Sequence, residues 1–161
     1  MEGVTRECLR LAFRPDPSDG GFARLRVAAS ALGFSGSSSF WAYPATLTDF
    51  AAAMRVYPLD ASRPAVLVGG HGGSVNGTYP PLETVRVEVG PEGPFGQVGL
   101  TVSIREDDGL TGRSRHSVEM VLLTPYERLG RFANDLDRVA IGAVEEALID
   151  GERLAGGSSS T

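Results

Sequence analysis

The chain has 161 residues, of which 42% are hydrophobic and 22% are charged, a balance typical of one globular domain with a buried core. All 15 basic residues are arginine, which excludes mechanisms that need a lysine amine, such as Walker A nucleotide binding and Schiff-base chemistry. The formal net charge of −5 argues against a nucleic-acid partner and predicts that a charged partner is basic.

The N-terminal residues and the single cysteine predict the compartment. The chain starts without the basic and apolar segments of a secretory signal, and no run approaches the roughly 20 apolar residues that cross a bilayer. We therefore expect a soluble cytoplasmic protein that does not associate with membranes. Cys8 alone excludes an intrachain disulfide and a zinc site built from paired cysteines, as suits a reducing compartment.

Two alternating segments open the chain. Leu9, Leu11 and Phe13 are separated by single residues, and this period of two predicts a half-buried strand. Leu25 and Val27 repeat the pattern, and turn-forming residues lie between the two segments. We expect the two strands to form a hairpin.

A turn and a short helix follow. The segment 33–36 reads Gly-Phe-Ser-Gly, which is typical of a turn. Leu47, Phe50 and Met54 then recur at spacings of three and four, among good helix formers. This spacing predicts a helix over residues 47–56.

The second half of the chain predicts an antiparallel meander. Four apolar or alternating segments indicate strands, at residues 65–69, 84–89, 97–105 and 117–123. Turn residues at 90–96 and at 106–112 connect the last three segments as hairpins. No crossover helix separates them, so we expect a sheet with one buried face and one wet face.

The C-terminal part predicts a long helix and a tail. Thr124 and Glu127 have the spacing of a capping box, with Pro125 at the first helical position, and an apolar face continues to about Ile149. The predicted fold class is α+β: an antiparallel meander sheet, a short helix after the second strand region, and a long C-terminal helix packed on one face. We expect residues 1–150 to form a single domain and residues 151–161 to form a flexible Gly/Ser-rich tail.

Residues with metal or phosphate chemistry lack the necessary spacing. The glycine-rich segment 68–74 has neither the G-x-G-x-x-G order nor a Walker A lysine, so it predicts a loop that is flexible or contains positive-φ residues. His71 and His116 lie 45 positions apart, outside any ligand motif. We expect no metal, no cofactor and no catalytic residue.

Two clusters are candidates for contact with a partner. Glu106, Asp107 and Asp108 place three consecutive carboxylates in a predicted hairpin loop. A solvated turn, contact with a partner and acid–base catalysis all fit this pattern, and we select the three residues as candidate partner-binding residues. Trp41 and Tyr43 belong to an aromatic group that fits either core packing or an interface anchor.

The order of these elements resembles that of a known family. Similar segments are the N-terminal strand from Leu9, the Gly33-Phe-Ser-Gly segment, the short helix from Leu47, the strand from Gly96, and the Leu123-Thr-Pro-Tyr-Glu helix start. Over residues 8–148 this order resembles the WapI-like immunity proteins of bacterial polymorphic toxin systems. The resemblance implies an intracellular, non-catalytic protein that binds and blocks the C-terminal domain of a cognate secreted toxin, often a nuclease.

Two other functions remain open at this stage. One is a small enzyme or ligand-binding protein with a pocket between the sheet and the C-terminal helix. That pocket would be lined by Phe13, Phe34, Trp41, Tyr43 and Phe132, with His116 or Asp108 as its polar group. The other is a structural subunit of a larger assembly.

Overall fold

The computed structural model describes residues 7–71, 82–93, 96–107 and 114–152. Within these residues the chain forms two four-stranded antiparallel sheets and two α-helices, which confirms the predicted α+β class. In chain order the elements are β1 (Cys8–Ala12), a 3-10 turn (Pro17–Asp19), β2 (Ala23–Ala31), β3 (Phe34–Ala42), α1 (Pro44–Met54), β4 (Ala65–His71), β5 (Leu82–Glu92), β6 (Gln97–Asp107), β7 (Ser114–Pro125), α2 (Tyr126–Ala140) and β8 (Glu146–Asp150).

The first sheet has the strand order β3-β2-β1-β8. β1 and β2 pair antiparallel, as their alternation predicts. Leu32 and Gly33, with φ of 55° and 82°, form a two-residue turn to β3. The prediction of a turn at 33–36 is wrong beyond Gly33, because Phe34 begins a strand that pairs with β2 over nine residues. The serines of β3 have weak strand propensity, and the hydrogen-bonded pairing with β2 compensates for this weak propensity.

The second sheet is the predicted meander, with the order β4-β5-β6-β7. β5 and β6 pair antiparallel across the predicted hairpin, and β6 pairs with β7 in the same way. Val85 and Val87 of β5 and Leu100 of β6 are fully buried, because the period of two turns them toward the same face. The second sheet therefore contributes one continuous apolar face to the core.

β3 is the strand through which the two sheets meet, and it contacts all four strands of the second sheet. A Cβ atom on Gly69 of β4 would lie 2.2 Å from the ring of Phe40, and one on Gly36 would lie 2.6 Å from Val118. The strand predicted at 65–69 extends to His71, so the prediction of a loop is wrong for residues 68–71, which belong to β4. Residues 72–74 of that predicted loop lie outside the described residues.

Helix α1 is confirmed, with shifted ends. It begins at Pro44 instead of 47 and ends at Met54. Proline suits the first helical position because the missing N–H would have no partner there. Leu47, Phe50 and Met54 are buried, so the predicted apolar spacing does identify the inner face.

The C-terminal helix is shorter than the predicted one. α2 ends at Ala140, because Gly142 adopts a φ of 78° and closes a Schellman motif. The Gly142 N–H donates to the Val139 carbonyl at 3.0 Å, and the Ala143 N–H donates to the Arg138 carbonyl at 2.9 Å. The chain then reverses into β8, which pairs antiparallel with β1.

The predicted capping box is absent at the start of α2. The N-cap residue is Pro125, and no side chain caps the helix. The hydroxyl of the fully buried Thr124 donates instead to the Asp150 carbonyl of β8 at 3.3 Å. This hydrogen bond joins the start of α2 to an edge strand that the sequence did not predict.

The core is one contiguous apolar cluster shared by both sheets and both helices. The two helices pack on each other, α1 also contacts β4, and α2 also contacts β8. Beyond β8, the Gly151 N–H donates to the Glu7 carbonyl and the Glu152 N–H donates to the Leu123 carbonyl. Residues 153–161 of the predicted tail lie outside the described residues.

Candidate partner-binding surface

The predicted acidic loop begins later than expected. β6 continues through Asp107, with Glu106 opposite His116 and Asp107 opposite Ser114 across a register irregularity. Glu106 and Asp107 therefore belong to the end of a strand, and Asp108 lies outside the described residues. Contact of these three residues with a partner stays a prediction.

The aromatic residues of the alternative pocket hypothesis do not line one cavity. Phe13 and Phe132 are buried in the core, whereas Phe34, Trp41 and Tyr43 are each more than half exposed. His116 is exposed on β7, at the rim of a separate depression of about 280 Å³ between β3 and β7. The fold thus separates the proposed apolar lining into core residues and surface residues.

The exposed aromatic residues next to β2 form a stacked group. The outer face of the first sheet pairs Arg24 with Trp41 across β2 and β3. Phe22 stacks on Trp41 with ring centroids 5.5 Å apart and an interplanar angle of 20°, and its centroid lies 4.7 Å from that of Tyr43. Trp41 and Tyr43 remain 54% and 57% exposed.

Two arginines complete this surface. The Arg24 guanidinium lies 5.5 Å from the centroid of the Trp41 ring, a cation–π contact. Arg26 follows two residues along β2 and so faces the same side. We call this surface the aromatic–arginine patch and define it as Phe22, Arg24, Arg26, Trp41 and Tyr43.

Arg24 and Arg26, like Arg63 and Arg105, differ in their charge environment from the arginines that form ion pairs. In the described part of the chain, neither forms an ion pair with a carboxylate. Arg86 of β5 shows the contrast, because its guanidinium bonds Glu88 at 2.8 Å and Glu83 at 3.3 Å. Those hydrogen bonds raise the pKa of Arg86 further above its ordinary value.

An open depression of about 370 Å³ adjoins the patch. Its lining residues are Ala12, Phe13, Arg14, Arg24, Arg26 and Glu145. Arg14 contacts Glu145 at 3.7 Å, and the nearby Arg10 contacts Glu146 at 3.6 Å. Both pairs are at least half exposed, so solvent weakens them.

Sequence reasoning overlooked the arginines and predicted the aromatics only in part. The alternation of Arg24 and Arg26 with Leu25 and Val27 already placed both arginines on the outer face of a strand. Trp41 could not be placed beside them, because β3 was not predicted. A search for like-charged residues two apart on the polar face of a strand would have selected the pair.

Metal-ligand clusters and membrane-spanning helices are absent from the described residues. Those residues include no group of three or more His, Cys, Asp or Glu side chains that could hold a metal ion. Neither of the described helices combines the length and apolar character needed to cross a bilayer. Cys8 is partly buried, with its Sγ atom 3.4 Å from the Oγ atom of Ser30.

Among the described residues, we select the patch as the candidate partner-binding surface. It combines stacked, exposed aromatic rings with two arginines that lack carboxylate partners in the described chain. No family model, no curated protein and no solved structure matches this chain.

Proposed function

We propose that this protein is a non-catalytic, cytoplasmic immunity-type protein that binds and neutralises a cognate bacterial toxin domain. The observation that carries the proposal is the aromatic–arginine patch on the outer face of the first sheet. Trp41 and Tyr43 are more than half exposed there, although both are large enough to contribute substantially to a core.

The residue types of the patch are those that dominate protein interfaces. Trp, Tyr and Arg are enriched among the few residues that provide most of the binding energy. Burying the exposed apolar area of Trp41 and Tyr43 against a partner would stabilise a complex by roughly 25 cal/mol per Å². The stacking of Phe22 holds both rings before binding, which reduces the entropy lost on association.

The strand beneath the patch is rigidly held. β2 is a central strand, paired with β1 on one side and β3 on the other. Leu25 and Val27, which alternate with the two arginines, are fully buried. A partner therefore meets side chains on a fixed backbone, as suits an inhibitor that binds without rearrangement.

The resemblance described above supports the same proposal. Three of the segments that carry that resemblance, the strand from Leu9, the short helix containing Leu47 and the helix after Leu123, are elements of this fold. We further propose that Glu106, Asp107 and Asp108 contribute a second, acidic contact that attracts basic segments of a nuclease-type toxin.

The proposal expects the neighbouring gene to encode a toxin domain, and the test is binding to that domain. Calorimetry should detect a stoichiometric complex, and the complex should inhibit the toxin. Trp41→Ala should weaken binding at least tenfold, because it removes a central aromatic anchor. Phe34→Ala is the matched control, since Phe34 is a 66% exposed aromatic residue at the other end of β3. Absence of binding by the wild-type protein would overturn the proposed function.

A further inference from the structure

We infer that the aromatic–arginine patch receives an extended acidic segment of the partner, with carboxylates on Arg24 and Arg26 and an apolar side chain beside Trp41. The inference deepens the proposed function and rests on it, because the segment is assigned to the toxin domain. The segment bound at this face is acidic, whereas the net charge of the whole chain predicts a basic partner.

The first argument is the charge pattern on β2. Arg24 and Arg26 face the same side two residues apart, roughly 7 Å along the strand. Their like charges repel, and no carboxylate of the described residues pairs with either of them. The chain has 20 acidic residues, so counter-charges are not scarce. A pair of guanidinium groups left in this way is complementary to two carboxylates supplied from outside.

The second argument is the charge around the neighbouring depression. Arg10 and Arg14 extend the row of positive groups, and Glu145 and Glu146 are the carboxylates that contact them. Of the four guanidinium groups on this side, only those of Arg10 and Arg14 form ion pairs in the described part of the chain. The two existing pairs have N–O distances of 3.6 and 3.7 Å and are largely solvated, so both arginines can also turn toward an incoming anion.

The third argument is the shape of the face. Ala12 and Ser39 are the cross-strand neighbours of Arg26, and their small side chains leave space beside the guanidinium. An extended segment also projects every second side chain to one side. Carboxylates at positions i and i+2 of that segment therefore match the spacing of Arg24 and Arg26. A following apolar side chain would reach the exposed Trp41 ring.

Trp41 makes the site directly observable, because it is the single tryptophan of the chain. The probe is the eight-residue peptide Ala-Glu-Ala-Glu-Ala-Glu-Ala-Phe. In an extended conformation its phenylalanine projects to the same side as its glutamates. The comparison peptide has glutamine in place of each glutamate. Titration with the acidic peptide should change Trp41 fluorescence saturably, and the glutamine peptide should bind at least tenfold more weakly. A thymidine oligonucleotide tests whether the surface prefers phosphate.

Two matched double variants test the arginines. R24Q/R26Q should weaken peptide binding at least tenfold. R63Q/R105Q removes the same charge from two exposed arginines that form no ion pair in the described chain, and it should bind like the wild type. The difference should shrink as ionic strength rises from about 0.05 to 0.5 M, because the Debye length falls below 10 Å.

Three results would overturn the inference: no response of Trp41 to the acidic peptide, equal binding of the glutamine peptide, or tighter binding of the oligonucleotide than of the acidic peptide. An unaffected R24Q/R26Q variant would do the same. None of these measurements contains the toxin domain. The patch can therefore fail while the toxin complex still forms, and the complex can fail while the acidic peptide still binds.

Discussion

At the scale of single residues, two aspartates perform the same local task in different turns. Asp16 accepts hydrogen bonds from the Ser18 N–H at 2.9 Å and from the Ser18 hydroxyl at 2.6 Å. Asp60 accepts the equivalent bonds from Ser62 at 2.9 and 2.8 Å. Because these bonds favour the ionised carboxylate, they lower the pKa of both aspartates below the ordinary value of 3.8.

These shifts predict a small loss of stability in acid. A folded pKa below the unfolded one adds stability above the unfolded value, and this stability disappears as pH falls through the folded pKa. Carboxyl NMR titration should show Asp16 and Asp60 titrating below 3.8. Ser18→Ala and Ser62→Ala should each return the pKa of their own aspartate toward that value and leave the other unchanged. Unshifted titrations in the wild type would contradict the assigned turns.

Gly69 is the residue at which a single methyl group should disturb the contact between the sheets. In Gly69→Ala the new Cβ atom would lie 2.2 Å from the Phe40 ring. We expect a loss of about 1–3 kcal/mol in the free energy of unfolding, since the ring must move within a packed core. Gly90→Ala is the control, because nothing lies within 4 Å of its Cβ position. Urea denaturation measures both, and equal effects would refute the close contact.

At the scale of secondary structure, α2 contains a glycine with no packing role. Gly130 is exposed in the helix interior, and an added Cβ atom meets nothing within 4 Å. Gly130→Ala should stabilise the protein by about 0.5–1 kcal/mol, because alanine loses less backbone entropy in a helix. Gly142→Ala should destabilise by about 1 kcal/mol, since its φ of 78° disfavours a side chain. Thermal melting measures both variants. If Gly130→Ala and Gly142→Ala shifted the melting temperature in the same direction, the assigned helix end would be wrong.

The α2–β8 unit completes the core, so its removal should prevent folding. Deletion of residues 124–148 removes Leu129, Phe132 and Leu136, which are almost fully buried, and most of the strand that pairs with β1. Circular dichroism of the truncated chain should show no cooperative melt. Leu136→Ala is the milder test. It should lower the free energy of unfolding by about 2–5 kcal/mol, because it leaves a cavity in the core. A soluble truncation with an unchanged melt would contradict this architecture.

At the scale of the whole molecule, charge is distributed unevenly. The chain carries a net charge of −5, yet arginines gather on the outer face of the first sheet. The three consecutive acidic residues Glu106, Asp107 and Asp108 begin at the end of β6, in the second sheet. An arginine-rich face and an acidic segment of the chain can orient a partner as well as attract it.

Neutralising the acidic segment should therefore slow association with the toxin domain. For E106Q/D107N/D108N we expect a severalfold lower association rate at low salt, a smaller change in dissociation, and a melting temperature within a few degrees of wild type. Stopped-flow kinetics measures the rates. D19N/D49N/E119Q removes the same charge from exposed positions elsewhere and controls for net charge. An equal effect of both triple variants would remove the acidic segment from the interface.

Local patterns in the sequence were sufficient for much of the fold. The alternation of β1, β2, β5 and β6 marks one buried face along each strand, and that face is set by the strand's own geometry. The spacing of Leu47, Phe50 and Met54 identifies the inner face of α1 for the same reason. Each of these patterns repeats within a few residues, so no knowledge of distant partners is needed to recognise it.

Only the tertiary structure decided the features that depend on distant partners. The serine-rich β3 is a strand because it pairs with β2 and lies against the second sheet. Ala147 and Ile149 fit a continued helix in sequence, but the turn at Gly142 and pairing with β1 make them a strand. The patch arises in the same way, because Trp41 meets Arg24 only across paired strands. Cross-strand contacts join residues by register, and register depends on turns, pairing and burial that the linear sequence does not display.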